Sequence, residues 1–128
     1  MGWDDVKWFQ PSEFDSPDKP GSSVGMNLEF VHKIDKLREA VKMPLTILSG
    51  IRTQEHNAKV GGVDSSAHTI GHAADVQVLS ASARYVILEA ALRFGFRRIG
   101  IGNGFLHLDD DITKPQDVLW LYPAGSSR

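Results

Sequence analysis

The chain contains no cysteine. Disulfides are therefore excluded, and so is any metal site built on thiolates; an ion would have to be held by His, Asp or Glu. No apolar run approaches the roughly 18 residues of a membrane span. Charge of one sign is also missing: 14 Lys and Arg against 16 Asp and Glu leave a net charge of −2. That balance offers no footprint for nucleic acid or an anionic membrane surface, and neither is expected as a partner. The N-terminus, with Asp4 and Asp5, lacks the basic and apolar layout of a secretory signal. The protein is thus expected to be made without a signal, or to have lost one. No internal repeat or low-complexity tract is present. A length of 128 residues suits one domain, 1–128, expected to be monomeric.

Residues 1–25 read as an irregular arm in which Trp3, Trp8, Phe9 and Phe14 alternate with Pro11, Pro17, Pro20 and Gly21. Those aromatics are expected to pack onto the domain rather than to form a ligand platform. The first clear element is a helix from about Asn27 to Val41, capped by Asn27, with Leu28, Val31, Ile34, Leu37 and Val41 at helical spacing. Pro44 ends it, and Leu45 to Leu48 reads as a buried strand. Thr53 caps a short helix to about Ala58, and Gly61-Gly62 breaks it. Ala74 to Leu79 alternates as a strand, with Asp75 and Gln77 on one face. A helix capped by Ser80 or Ser82 runs to Phe94, and Gly95 closes it. Phe96 to Ile101 and Phe105 to Asp109 then form a hairpin around Gly102-Asn103-Gly104. Val118 to Tyr122 suits an edge strand. The order implies an α+β fold: a small, mainly antiparallel sheet with helices packed on one face.

The chemistry concentrates in Ser66-Ala67-His68-Thr69-Ile70-Gly71-His72-Ala73-Ala74-Asp75, followed by His107-Leu108-Asp109. His68 lies on a loop, Asp75 begins a strand, and His107 sits in the second arm of the hairpin. If those strands are neighbours, two imidazoles and a carboxylate converge, which is a ligand set for zinc with one position left for water. Alternation places Phe105, His107 and Asp109 on one face and Leu106 and Leu108 on the other. Each residue alone has an ordinary reading, as a surface histidine or a capping aspartate; the combination carries the weight. His68 and His72 have the spacing of helical zinc proteases, but Thr69 stands where that motif needs Glu. The run Gly100 to Gly104 lacks the Lys-Ser/Thr ending of a phosphate loop. Ser66 has no strand-turn-helix elbow to make it a nucleophile.

Ser66-x-His68-x-x-Gly71-x-Ala73-x-Asp75 resembles the signature of the zinc D-alanyl-D-alanine carboxypeptidases, peptidase family M15. Upstream, Ser49-Gly50-Ile51-Arg52-Thr53 and Asn57 through Gly61-Gly62 resemble the same family; downstream, so do Gly95-Phe96, Ile99-Gly100-Ile101 and His107-Leu108-Asp109. The likeness runs from about Asn27 to Asp109. It implies a hedgehog/DD-peptidase-like fold and Zn²⁺ held by His68, Asp75 and His107. It also implies Arg52 as the group that anchors a substrate carboxylate or polarises the scissile carbonyl, with Ser66 beside the substrate or its loop. The plain reading of Arg52 is an ion-pair partner.

Many relatives place a carboxylate two or three residues before the last histidine, where this chain has Gly104 and Phe105. Asp109 is then the candidate general base, or else the partner that orients His107, with His72 a third candidate. The implied activity is zinc-dependent hydrolysis of peptide bonds in peptidoglycan stem peptides at the cell wall or in the periplasm. That activity suits the compact phage and bacterial enzymes, including endolysins made in the host cytoplasm and released. The alternative is a domain that binds peptidoglycan without cutting it.

Overall fold

The computed structural model describes residues 2–126. The first helix, α1, spans Leu28–Val41; the Asn27 side chain accepts from the Phe30 amide at 2.9 Å, and Lys42 ends it with φ of 55°. Its buried stripe is Phe30, Val31, Ile34 and Leu37. The arm before it is three 3-10 turns, Trp3–Asp5, Pro11–Phe14 and Ser22–Gly25. Phe9 and Phe14 pack edge to face at 5.4 Å inside the core. The buried Asp35 accepts from the amides of Lys7 and Trp8, which ties the arm to α1.

Strand β1 is Ile47–Ser49, later than the Leu45 start expected from sequence, and it is half-buried rather than buried. Leu45 does enter the core, but pairing begins only at Ile47, and a bulge falls between Ile47 and Ser49. An apolar run marks burial; it does not say where a neighbour's hydrogen bonds begin. Helix α2, Gln54–Lys59, is capped by Thr53. A 3-10 turn, Ala67–Ile70, leads into β2, Ala73–Gln77. Helix α3, Ala81–Arg93, is capped by Ser80 and buries Ile87, Ala90 and Ala91, whereas Leu92 faces solvent. Strands β3, Arg98–Ile101, and β4, Phe105–Asp109, form the hairpin, and β5 is Val118–Leu121.

The sheet order is β1-β2-β4-β3-β5, antiparallel throughout except that β5 runs parallel to β3. The exception follows from the hairpin. When the chain leaves β4 it stands beside the start of β3, so the next strand along that edge runs the same way. The fold is thus α+β with a mixed sheet. Ala74, Val76, Ile99, Leu106 and Leu108 join α1 and α3 in one core. The alternate residues of the same strands, Asp75, Gly100, His107 and Asp109, are left to the opposite face.

Candidate metal centre

The register of β2 on β4 sets Asp75 directly opposite His107. His68 reaches the same point from its 3-10 turn. The Ser66 hydroxyl caps that turn by accepting from the His68 amide, and Gly71 closes it. Gly71 has φ of 76°, and a Cβ there would run into the Gly25 carbonyl and the Met26 backbone. The turn therefore sits hard against the segment before α1, and the Gly71 carbonyl accepts from the Asn27 amide.

His68, Asp75 and His107 are all buried, and one donor atom from each lies within 4.8 Å of the other two. The His68 ring donates through Nδ1 to the Gly50 carbonyl at 2.8 Å. That contact fixes the tautomer and leaves Nε2 with a lone pair, 3.3 Å from Asp75 Oδ2. Nε2 is buried and makes no hydrogen bond. His107 presents Nδ1 to Asp75 Oδ1 at 2.9 Å and Nε2 to Asp109 Oδ2 at 2.6 Å. Donors around a tetrahedral zinc with bonds of about 2.0–2.1 Å stand about 3.3 Å apart, which the His68 Nε2 to Asp75 Oδ2 separation matches, and the whole donor set lies within 4.8 Å. An orphaned imidazole nitrogen, a carboxylate and a second imidazole, each ring fixed through its other nitrogen, fit a metal ion.

The surroundings complete the set. Arg52 is 4% exposed. Its Nη2 donates to Asp75 Oδ2 at 3.2 Å, Nη1 to Asn57 Oδ1 and Nε to Ser49 Oγ. Asp109 Oδ1 accepts from Arg98 Nε at 2.8 Å and from the Asp111 amide. Burial pushes the Asp75 carboxyl up, but the adjoining His68 and the hydrogen-bonded His107 more than offset it, holding the group well below the usual range. Burial likewise raises Asp109, and its His107 and Asp111 hydrogen bonds bring it below normal.

A family model described as peptidase M15 matches residues 8–109. The chain belongs to the peptidase M15 family. No curated protein matches the chain. In this M15 chain His68 and His107 line a cleft of about 560 Å³ together with Arg52, Ser66, Arg98 and Asp109, and Asp75 is fully buried beside them. His72 lies elsewhere: its Nδ1 meets Asp110 Oδ1 at 2.7 Å, in a separate depression with Glu29 and Ile70. No helix among the described residues is long and apolar enough to cross a membrane.

Sequence reasoning missed Arg98, Trp120 and Tyr122, which also line the cleft. Arg98 was within reach. Counting outward from a two-residue Asn103-Gly104 turn pairs Gly100 with His107 and Arg98 with Asp109, which is the observed register. Trp120 and Tyr122 had no such signal, because their place depends on β5 lying parallel to β3.

Proposed function

We propose that this M15 peptidase holds zinc through His68, Asp75 and His107 and hydrolyses peptide bonds in peptidoglycan stem peptides, as a D-Ala-D-Ala carboxypeptidase or a related endopeptidase. The observation that carries the reading is the buried, unpartnered His68 Nε2 aimed at Asp75 beside His107 Nδ1, at the floor of an open cleft. The chemistry a bound zinc supplies there is Lewis acidity, which activates water near neutral pH and polarises the scissile carbonyl.

The chain's own residues do the rest. The Gly50 carbonyl and Asp109 fix the two imidazole orientations. Arg52 holds Asp75 in place. Because each guanidinium nitrogen already donates within the protein, its contribution in this reading is to position Asp75, with any hold on substrate coming from the face it turns to the cleft. Asp109 is the one carboxylate among the described residues lining that cleft. Its oxygens are engaged by His107, Arg98 and Asp111, and its depressed pKa makes it a weak proton acceptor. That favours an orienting role for Asp109 over that of general base.

The same scarcity of carboxylates favours a second reading, a zinc domain that binds peptidoglycan without cutting it. In either case the ligand lies outside the cytoplasmic membrane. A small phage lysin released from the host is the setting that suits the chain. The test is mass spectrometry of muropeptides after zinc-loaded protein is incubated with purified cell wall. Loss of a terminal alanine identifies a carboxypeptidase, and new internal ends identify an endopeptidase. Protein that sediments with an intact wall supports the binding domain and contradicts the enzyme.

A further inference from the structure

Strand β5 follows the residues matched by the family model, which end at 109, yet it supplies one wall of the cleft. Trp120 pairs with Gly100, and Gly100 with His107. A Cβ on Gly100 would come within 2.5–2.7 Å of the Tyr122 and Trp120 rings. Glycine here lets both rings lie down on the sheet beside the metal-type residues. The ring centroids stand 5.4 Å (Trp120) and 6.4 Å (Tyr122) from that of His107. Each ring is also held from behind: the Arg98 guanidinium lies 5.0 Å from the Trp120 ring, and Phe105 lies 5.0 Å from Tyr122. Arg98 is itself fixed by Asp109 and the Pro115 carbonyl. Neither ring joins the main core.

We propose that Trp120 and Tyr122 are substrate-contacting specificity residues that receive the small apolar side chain, an alanine methyl, of a residue flanking the scissile bond. The inference rests on the peptidase reading and adds to it which part of the peptide is recognised. Rings this close to His107 can only meet a residue next to the reacting bond. Ring faces favour C–H groups, whereas an acidic side chain would meet their negative faces, and Arg98 already serves as the cation against Trp120. Val60, Gly61, Gly62 and Val63 also line the cleft and offer no charge. An alanine meets these demands, and glycine forfeits the contact.

The test compares peptides with alanine or glycine on either side of the cleaved bond, using zinc-loaded full-length protein, Trp120→Ala, Tyr122→Ala and Trp120→Phe. For the unsubstituted protein, removing the methyl should lower kcat/KM about tenfold. In Trp120→Ala and Tyr122→Ala that ratio should fall towards one, mainly through KM for the alanine peptide, with zinc content unchanged. Trp120→Phe should restore most of it. Binding of the released product peptide should shift tryptophan emission in the unsubstituted protein, and the shift should vanish in Trp120→Phe while the peptide still binds by calorimetry.

An alanine-to-glycine ratio unchanged in both alanine variants overturns the wall and leaves the peptidase reading standing. So does a loss equal for both peptides with a lowered melting temperature, which marks a structural role. If an alanine variant fails to fold, Trp120→Leu against Trp120→Phe decides, since only Phe keeps a ring face. Unsubstituted protein that neither cleaves nor binds stem peptides defeats the peptidase reading and this inference together.

Discussion

His68 and His107 are both buried against Asp75, yet they titrate in opposite directions. Burial is the largest influence on each and disfavours the imidazolium. For His68 the single carboxylate offsets only part of it, so the pKa is lowered. His107 lies between Asp109 and Asp75, whose hydrogen bonds and charges outweigh burial and raise it. In metal-free protein the two act on stability with opposite slopes. A raised folded pKa gives stabilisation that is present below the unfolded value, about 6.5, and lost as pH rises through the folded value. A lowered one gives stabilisation that is present above about 6.5 and lost as pH falls. Chelated protein should therefore melt highest near pH 6.5, with the melting temperature declining on either side. A monotonic profile from pH 5 to 8.5 would contradict the opposed pair.

At the scale of elements, the helices were legible because their caps are local: Asn27, Thr53 and Ser80 each accept from an amide three residues on. The hairpin was legible for the same reason, and with it the pairing of His107 and Asp109 against β3. Partners distant in sequence were not. Arg52 reads as a substrate group or an ion-pair partner until the fold sets it on Asp75, 23 residues away. Val118 to Tyr122 was legible as an edge strand, but nothing local set Trp120 and Tyr122 beside His107. The turn carrying His68 depends on a still more distant contact, Gly71 against Gly25 and Met26. Gly71→Ala must strain a left-handed backbone and push that turn away. It should cost about 1–3 kcal/mol in denaturant unfolding and weaken zinc retention against a chelator. A variant with wild-type stability and zinc affinity would show that the close approach has no consequence.

For the molecule as a whole, the sheet separates two tasks. One face, with α1, α3 and the arm's Phe9 and Phe14, makes the core. The other concentrates buried polar groups: His68, Asp75, His107, Arg52 and Asp109. A face of that kind is costly unless every group is partnered. Among the described residues His68 Nε2 is the site's one buried side-chain nitrogen without a hydrogen bond, so the buried site is nearly satisfied as protein and becomes fully so with an ion. Binding to the folded state alone adds stability, about 2.7 kcal/mol at a metal concentration 100 times Kd. The most direct measurement is the zinc content, by elemental analysis after gel filtration, of the unsubstituted protein and of Asp75→Ala, with Asp75→Asn beside it to keep the shape and hydrogen bonds around Arg52. Stoichiometric zinc is expected in the first and its loss in both variants, with circular dichroism showing Asp75→Asn folded. Stoichiometric zinc retained by a folded Asp75 variant, or none in the unsubstituted protein, would contradict it.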